Sequence, residues 1–274
     1  HAAHSLLGTH SSMIIAMPPP DDKPRFGAFG GVFTPCILTI LGVILFMRAN
    51  FVVGQAGILY AVVILLIAKS ISLFTALSAS AIATNMRVRG GGAYFLISRV
   101  LGPEFGGAIG VMLYLAQAVS VPFYVLGFTE ALVQTFPVLH PYAFPLAFGT
   151  AAALFVVTFV GAGWAIRVQF LILACLMMAV VASIGGALLH FSPETFAANW
   201  GADYTLIDPD VEGGPAFSFW VVFAIYFPAV TGIMAGINMS GDLKDPGRAI
   251  PRGVLAAVTV GFLVYLTQLL VCGG

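Results

Sequence analysis

Apolar side chains are distributed along this chain in long runs, separated by short segments that hold most of the polar and charged residues. A hydropathy window of about 19 residues, the usual length for finding membrane spans, locates seven such runs. They lie at 32–49, 55–83, 105–134, 143–162, 168–190, 217–240 and 253–272. Because about 20 apolar residues cross a bilayer core as a helix, and a barrel strand needs only about ten, the pattern predicts an all-α polytopic membrane protein. Its spans are numbered one to seven in chain order.

The composition agrees with this fold class. Of the 274 residues, 60% are hydrophobic and 8% are charged, against roughly 25% charged residues in a soluble domain. The mean hydropathy is +1.03. The formal net charge is zero and no long basic run is present, so the composition gives no reason to expect a nucleic-acid partner. The expected surroundings are a lipid bilayer.

Charged residues between the spans predict the orientation. If the amino end is cytoplasmic, nine of the 11 Lys and Arg residues fall in cytoplasmic segments. The longest external loop, 191–216, then contains five acidic residues and no Lys or Arg. Since the cytoplasmic loops of membrane proteins carry the excess of basic residues, we expect a cell-membrane protein with a cytoplasmic amino terminus.

The order of the spans suggests how the chain is divided. We predict a disordered cytoplasmic segment at 1–25, a first repeat of five spans at 26–190, an acidic external loop at 191–216 and the start of a second repeat at 217–274. This division assumes a five-plus-five inverted-repeat transporter fold, in which spans one and six occupy equivalent positions. On that fold the chain holds the first seven helices, and we expect it to be a fragment.

Spans one and six each contain residues that interrupt a helix. In span six, Pro228 cannot donate a backbone hydrogen bond and Gly232 follows four residues later, while span one contains Gly42. Carbonyl groups released at a break suit a dehydrated cation, and the free amides at the start of the next half-helix suit an anion. Either interruption alone is compatible with a plain kink. Their equivalent positions favour a binding site at the midplane of the membrane.

Other chemistry-bearing residues are few. The three cysteines lie far apart in apolar segments, and the spans show no nucleophile–base pair, carboxylate pair or metal-ligand spacing. We therefore expect neither enzymatic activity nor a cofactor. Lys69 lies near the middle of span two, where a charge is costly. Pairing with a neighbouring helix, exposure to a water-filled cavity and a functional role are all open for this residue.

The segment between spans two and three carries the most specific motif. Residues 78–110 read SASAIATNMRVRGGGAYFLISRVLGPEFGGAIG, in which the glycine triplet 90–92 predicts a tight turn, and Gly106 with Gly110 a small-residue packing surface. Together with TILGVILFMR, VVGQAG, YVLGF and FPAVTGIMAGINMSGDLKDPGRAIPRG, it closely resembles the cation–chloride cotransporter family, a branch of the amino acid–polyamine–organocation superfamily. The chain looks like a truncated, bacterial-type member.

The resemblance implies the ligands of a potassium site. They are the backbone carbonyls of Thr39, Ile40 and Pro228 and the hydroxyls of Tyr124 and Thr231. The family commonly has Asn at the position of Thr39. Relatives that transport sodium and chloride without potassium differ at the position of Tyr124, so this tyrosine favours a potassium-type site.

The resemblance also implies two chloride sites, formed by backbone amides at the starts of the half-helices. The first site uses the amides of Gly42, Val43 and Ile44. The second site uses the amides of Gly232, Ile233 and Met234.

The implied function is electroneutral symport of potassium and chloride by alternating access. The involvement of sodium is open, and a homodimer is expected by analogy with the family. An amino-acid permease of the same superfamily is one alternative, although it would normally carry a GxG-type break in span one, where this chain has Gly42 alone. A channel-like or non-transporting membrane subunit is the other alternative.

Overall fold

The structure is a computed structural model that describes residues 26–86, 88, 90–160, 162–201 and 217–274. The segment 1–25, for which disorder is predicted, and most of the acidic loop lie outside the described residues. Arg87 and Arg89, which flank the glycine triplet, also lie outside them.

Seven helices of the described chain are long and apolar enough to cross a membrane. They run Phe29–Met47, Ala49–Asn85, Pro103–Thr135, Pro137–Phe159, Val168–Leu189, Phe219–Asp242 and Pro246–Cys272. Each corresponds to one of the predicted spans. The prediction of an all-α polytopic membrane protein is therefore confirmed.

The largest difference in boundaries is at span seven, which begins at Pro246 rather than at 253. The side chain of Asp245 caps this helix by accepting a hydrogen bond from the amide of Arg248 at 3.3 Å, and proline is favoured at the first helical position. Arg248 and Arg252 lower the mean hydropathy of the first two turns. The apolar window therefore starts later than the helix does.

Spans one and six are both broken, as predicted. Span one consists of the segments Phe29–Phe33, Thr34–Ile40 and Val43–Met47. Span six consists of the segments Phe219–Tyr226, Phe227–Val230, Met234–Asn238 and Met239–Asp242. The first segment of span one is a π-helical turn, and the second and fourth segments of span six are 3₁₀-helical. The interruptions fall at 41–42 and at 231–233.

Two short helices outside the spans were not predicted. One, Gly92–Leu101, connects spans two and three, and the other, Pro193–Ala198, follows span five. The connecting helix packs on span three, where Gly106 lies so close to Ser98 that a Cβ atom would overlap its side chain. Gly110 lies beside Tyr94 of the same helix. The predicted packing surface of Gly106 and Gly110 is thus confirmed, with the connecting helix as its partner.

One face of the helix bundle is tied together by backbone hydrogen bonds around the start of span two. Gly57 has a φ of 69° and interrupts this span, which frees the next amides. The amide of Ile58 donates to the carbonyl of Asn199 at 2.9 Å, and the side-chain amide of Asn199 donates to the carbonyl of Gly273 at 2.9 Å. The start of span two, the segment after span five and the end of span seven therefore lie on the same face.

The opposite face joins three other segments. The amide of Phe26 donates to the carbonyl of Asp242 at 2.8 Å, and the amide of Lys244 donates to the carbonyl of Phe26 at 2.9 Å. The amide of Gly92 donates to the hydroxyl of Ser240 at 3.1 Å. A chain that crosses a membrane seven times in succession must place its connecting segments alternately on the two faces, and these contacts agree with that order.

Spans one, two, six and seven form the core of the bundle. In the most apolar windows of these four spans, between 39% and 56% of the residues are buried inside the structure, compared with at most 6% in spans three, four and five. The exposed apolar faces of the latter three spans are suited to contact with lipid. The broken spans one and six therefore lie in the most enclosed part of the molecule.

Candidate ion-binding site

The two breaks contact each other directly. Gly232 has a φ of 124°, and a Cβ atom on it would lie 2.9 Å from the Cβ atom of Thr39 and 3.1 Å from the backbone nitrogen of Ile40. Glycine is therefore required at this position by backbone conformation and by space. The hydroxyl of Thr39 donates to the carbonyl of Gly232 at 3.0 Å, and the thiol of Cys36 donates to the carbonyl of Ile233 at 3.3 Å. These bonds hold span six against span one.

The two breaks also have the same backbone pattern. The amide of Leu45 donates to the carbonyl of Gly42 at 3.2 Å, and the amide of Ala235 donates to the carbonyl of Gly232 at 3.1 Å. In each case a glycine begins the turn. The amides of residues 42–44 and 232–234 come directly before these two donors. Within the described chain, none of them donates to a backbone carbonyl. Those six amides are the ones assigned above to the two chloride sites, namely Gly42, Val43, Ile44, Gly232, Ile233 and Met234.

A small cavity lies beside the first break. Its volume is about 10 Å³, which is room for one water-sized particle. It is lined by Thr39, Ile40, Gly42, Val43, Ile44, Phe123, Tyr124, Pro228 and Tyr265. The structure thus brings together four of the five potassium ligands suggested by the resemblance and all three residues of the first chloride site. Thr231 and the second chloride set do not line this cavity.

Two of the carbonyl groups assigned to potassium already accept hydrogen bonds. The carbonyl of Ile40 accepts from the hydroxyl of Tyr265 at 2.8 Å. The carbonyl of Pro228 accepts from the amide of Thr231 at 3.2 Å and from its hydroxyl at 2.7 Å. Since a carbonyl oxygen has two lone pairs, the Ile40 oxygen has one left for a cation. The Pro228 oxygen becomes a ligand only when Thr231 gives up a hydrogen bond.

Thr39 presents its backbone rather than its side chain to the cavity. Its hydroxyl lies within hydrogen-bonding distance of three carbonyl groups, those of Pro35, Cys36 and Gly232. Its own carbonyl oxygen lies 3.3 Å from where a Cβ atom on Gly42 would be. The hydroxyl of Thr39 is therefore directed at other carbonyl groups, and its own carbonyl adjoins the first break.

A larger cavity continues from the small one toward the face that contains the start of span two. Its volume is about 330 Å³, and it shares Val43, Ile44, Phe123 and Pro228 with the small cavity. Arg48 and Glu130 line it as well, and their charged groups approach to 3.9 Å. This half-exposed ion pair links spans one and three at the mouth of the site. The sequence offered no signal for the pair, because Arg48 and Glu130 are far apart along the chain.

Span two supports the site from behind. The hydroxyl of Ser72 donates to the carbonyl of Val230, immediately before the second break, at 2.6 Å. One turn earlier, the ammonium nitrogen of Lys69 lies 5.3 Å from the centre of the Tyr265 ring. Tyr265 and Ser72 were not identified from the sequence, since a tyrosine or serine in an apolar span usually has only a packing role. Lys69 was noticed because of its charge.

The fold is that of a multi-pass membrane protein in which two interrupted helices contact each other, an arrangement that occurs in secondary transporters. The sequence profile of the family described as "Amino acid permease" matches residues 31–274. The chain is 40% identical over 263 residues to solute carrier family 12 member 2 of Mus musculus, an alignment that covers 88% of this chain and 21% of that protein. It is 40% identical over 261 residues to solute carrier family 12 member 1 of Oryctolagus cuniculus, covering 88% of this chain and 23% of that protein.

The chain therefore belongs to the amino acid permease family. The matches confirm the resemblance to cation–chloride cotransporters. They also agree with the expectation that the protein is not an enzyme, because the family is one of transporters. The chain spans about a fifth of the length of the relatives described above, 21% and 23% respectively.

Proposed function

We propose that the protein carries out electroneutral symport of potassium and chloride by alternating access. The observation that carries the proposal is the small cavity beside the first break. Thr39, Ile40 and Pro228, whose carbonyls are the proposed potassium ligands, line this cavity. The residues 42–44, whose amides have no backbone partner, line it as well. Cation and anion ligands thus meet in a space of about 10 Å³.

The cavity suits a dehydrated monovalent cation. It has room for one water-sized particle, so an ion enters only after its hydration shell is replaced by protein oxygens. The Ile40 carbonyl has a lone pair available, and the side chain of Tyr124 lines the same wall. An aromatic carbon of Tyr124 lies 3.7 Å from where a Cβ atom on Gly42 would be, so this tyrosine adjoins the break.

Binding of cation and anion in neighbouring positions provides the coupling. Removing either ion from water costs several kcal/mol in a medium of low dielectric constant. An ion of opposite charge a few ångströms away offsets much of that cost. Each ion therefore lowers the free energy of binding the other, and neither is transported efficiently alone.

Alternating access is supported by the different packing on the two sides of the cavity. The side toward Arg48 and Glu130 continues into a space of about 330 Å³. The other side is closed by the contact between Gly232 and Thr39. We propose that the wider side is extracellular, which corresponds to a cytoplasmic amino terminus in the cell membrane. A homodimeric assembly without a cofactor and an optional role for sodium belong to the same proposal.

An amino-acid substrate is disfavoured by the size of the cavity. Even a small amino acid has several non-hydrogen atoms, whereas the cavity between the breaks admits one water-sized particle. An amino-acid permease would require this space to enlarge severalfold. One dehydrated monovalent ion matches this space, and a second ion beside it requires a smaller enlargement than an amino acid does.

The test is rubidium uptake by the full-length protein in lipid vesicles. Symport predicts uptake that saturates, falls when chloride is replaced by gluconate and does not change when the membrane potential is clamped. Tyr124→Phe and Thr231→Ala should reduce it, while Tyr114→Phe and Thr259→Ala, on exposed parts of spans three and seven, serve as matched controls. Equal uptake with and without chloride would reject symport. Uptake of a labelled amino acid would support the permease, and uptake that follows the membrane potential would support a channel.

A further inference from the structure

Lys69 is the only charged side chain among the buried residues of the described chain, with 5% of its surface exposed. The helix of span two is interrupted at Gly57, and Lys69 lies twelve positions after that residue. At 1.5 Å per residue this places it about 18 Å from that end of the span, near the middle of a hydrocarbon core about 30 Å thick. An ammonium group at that depth requires an explanation.

Lys69 lies directly behind the wall of the small cavity. A Cβ atom on Gly261 would lie 3.4 Å from the Lys69 nitrogen and 2.7 Å from a side-chain carbon of Ile40, so spans one, two and seven meet at this point. The Lys69 nitrogen lies 5.3 Å from the centre of the Tyr265 ring. The hydroxyl of that tyrosine donates to the carbonyl of Ile40. One side chain therefore separates the ammonium group from a proposed potassium ligand.

No carboxylate compensates this charge within the described chain. Lys69 has no hydrogen-bond partner, and the buried residues include no Asp or Glu. Glu130, in span three, faces Arg48. The ring of Tyr265 offers a cation–π contact, which contributes about 2 kcal/mol when desolvated and cannot replace a counter-ion. In its ammonium form, Lys69 therefore carries a positive charge that no residue of the described chain compensates.

We propose that Lys69 makes the binding of potassium conditional on chloride. The inference rests on the proposed symport of these two ions. A fixed positive charge behind Ile40 repels a cation that enters alone and attracts an anion into the same space. Once chloride is bound, its charge offsets that of Lys69, and potassium can follow. Chloride therefore binds first, and the state loaded with potassium alone is suppressed.

The size of the effect follows from Coulomb's law. The path from the Lys69 nitrogen through the Tyr265 ring to the Ile40 oxygen is no longer than about 11 Å, and at an effective dielectric constant of about 20 a unit charge at that distance changes a binding constant by roughly ten-fold. The effect has opposite signs for the two ions. This opposition distinguishes an electrostatic role from a purely structural one.

The experiment compares Lys69→Met, which removes the charge at similar volume, with Lys69→Arg, which retains it. The control is Ser80→Ala, on the same buried side of span two, where the hydroxyl bonds only within its own helix, to the carbonyl of Ala76. For the full-length protein in vesicles, Lys69→Met should lower the half-saturating rubidium concentration and raise that of chloride, each by about ten-fold. It should also allow rubidium uptake without chloride. Lys69→Arg and Ser80→Ala should resemble the wild type.

A binding measurement separates this inference from the proposed function. Choline chloride should raise the melting temperature of the wild-type protein relative to choline gluconate, because a ligand of the folded state stabilises it, and Lys69→Met should need about ten times more chloride for the same shift. If both proteins show the same chloride-dependent shift, or neither shows one, the role of Lys69 is rejected. Half-saturating concentrations that are unchanged in Lys69→Met, or that move in the same direction, also reject it. If Lys69→Met weakens the chloride-dependent shift but wild-type uptake is independent of chloride, Lys69 attracts chloride while symport fails, and the conditional binding of potassium fails with it.

Discussion

The breaks in spans one and six share a backbone pattern but differ in their surroundings. Both begin with a glycine whose carbonyl accepts a hydrogen bond three residues later. At the second break, the carbonyls of Val230, Gly232 and Ile233 are bonded to side chains of spans one and two. At the first break the cavity remains, and one hydrogen bond from Tyr265 reaches it. The first break therefore borders a cavity, whereas the second break is packed against neighbouring side chains.

This difference suggests how the two breaks divide the work of transport. In the proposed mechanism, the contacts at the second break close one side of the site, and they are released when that side opens. At the first break, only the hydrogen bonds from Thr231 to the Pro228 carbonyl stand between that carbonyl and an ion in the cavity.

The glycines that begin the two breaks should respond differently to alanine. Gly232→Ala places a Cβ atom 2.9 Å from the Cβ atom of Thr39 at a φ of 124°, which combines overlap with a strained backbone, and we expect a loss of about 3 kcal/mol or more. Gly42 has a φ of −86° and its nearest neighbour, the Thr39 carbonyl oxygen, would lie at 3.3 Å. We expect Gly42→Ala to cost about 1 kcal/mol or less.

The measurement is the melting temperature of the purified full-length protein, together with rubidium uptake. Gly54→Ala is a suitable control, because a Cβ atom there would have no neighbour within 4 Å. Equal destabilisation by Gly42→Ala and Gly232→Ala would contradict the contrast between an open and a packed break.

Two buried tyrosines test the support of the first break. The rings of Tyr226 and Tyr265 pack edge to face with centres 5.8 Å apart. The hydroxyl of Tyr265 bonds to Ile40, whereas that of Tyr226 has no hydrogen-bond partner in the described chain. We expect Tyr265→Phe to destabilise the protein by about 1 kcal/mol, because hydrogen bonds between membrane helices are worth about 0.6 and up to about 1.7 kcal/mol. Tyr226→Phe should be neutral or stabilising, because it removes an unsatisfied buried group.

Thermal unfolding of both variants, each compared with the wild type, distinguishes these outcomes. Tyr265→Phe should also change the half-saturating rubidium concentration, since the position of the Ile40 carbonyl is no longer fixed. The idea that Tyr265 orders this carbonyl fails if the two Phe variants have the same melting temperature and the same rubidium dependence.

The spans and both breaks could be predicted from sequence because each depends on residues close together in the chain. Pro228 lacks a backbone donor and Gly232 adopts a φ that other residues rarely adopt, and a run of apolar residues predicts a span from its own length. The Tyr265–Ile40 contact joins residues 225 positions apart. It depends on how span seven packs on span one, which hydropathy does not specify. The connecting helix Gly92–Leu101 was missed for another reason, since its glycine-rich start looked like a turn alone.

Ser72 tests the contacts that close the second break. Its hydroxyl donates to the carbonyl of Val230 at 2.6 Å and is buried, so Ser72→Ala leaves that carbonyl with one partner fewer. We expect a loss of about 0.6 to 1 kcal/mol. Ser80→Ala, whose hydroxyl bonds the preceding turn of its own helix, should cost less, because no contact between helices is lost. Similar melting temperatures for the two variants would show that the bond to Val230 does not hold the second break.

The ion pair between Arg48 and Glu130 should have the smallest effect on stability. The charged groups are 3.9 Å apart and 43% of each side chain is exposed, and pairs with that exposure contribute about 0.2 to 1 kcal/mol. We expect a double-mutant cycle with Arg48→Gln and Glu130→Gln to give a coupling free energy below about 0.5 kcal/mol. The cycle is measured by thermal unfolding at low and high salt, because a half-exposed pair is screened. A coupling free energy above about 2 kcal/mol that persists at high salt would mean that the ion pair holds spans one and three firmly together at the first break. The contrast between an open first break and a packed second break would then be lost.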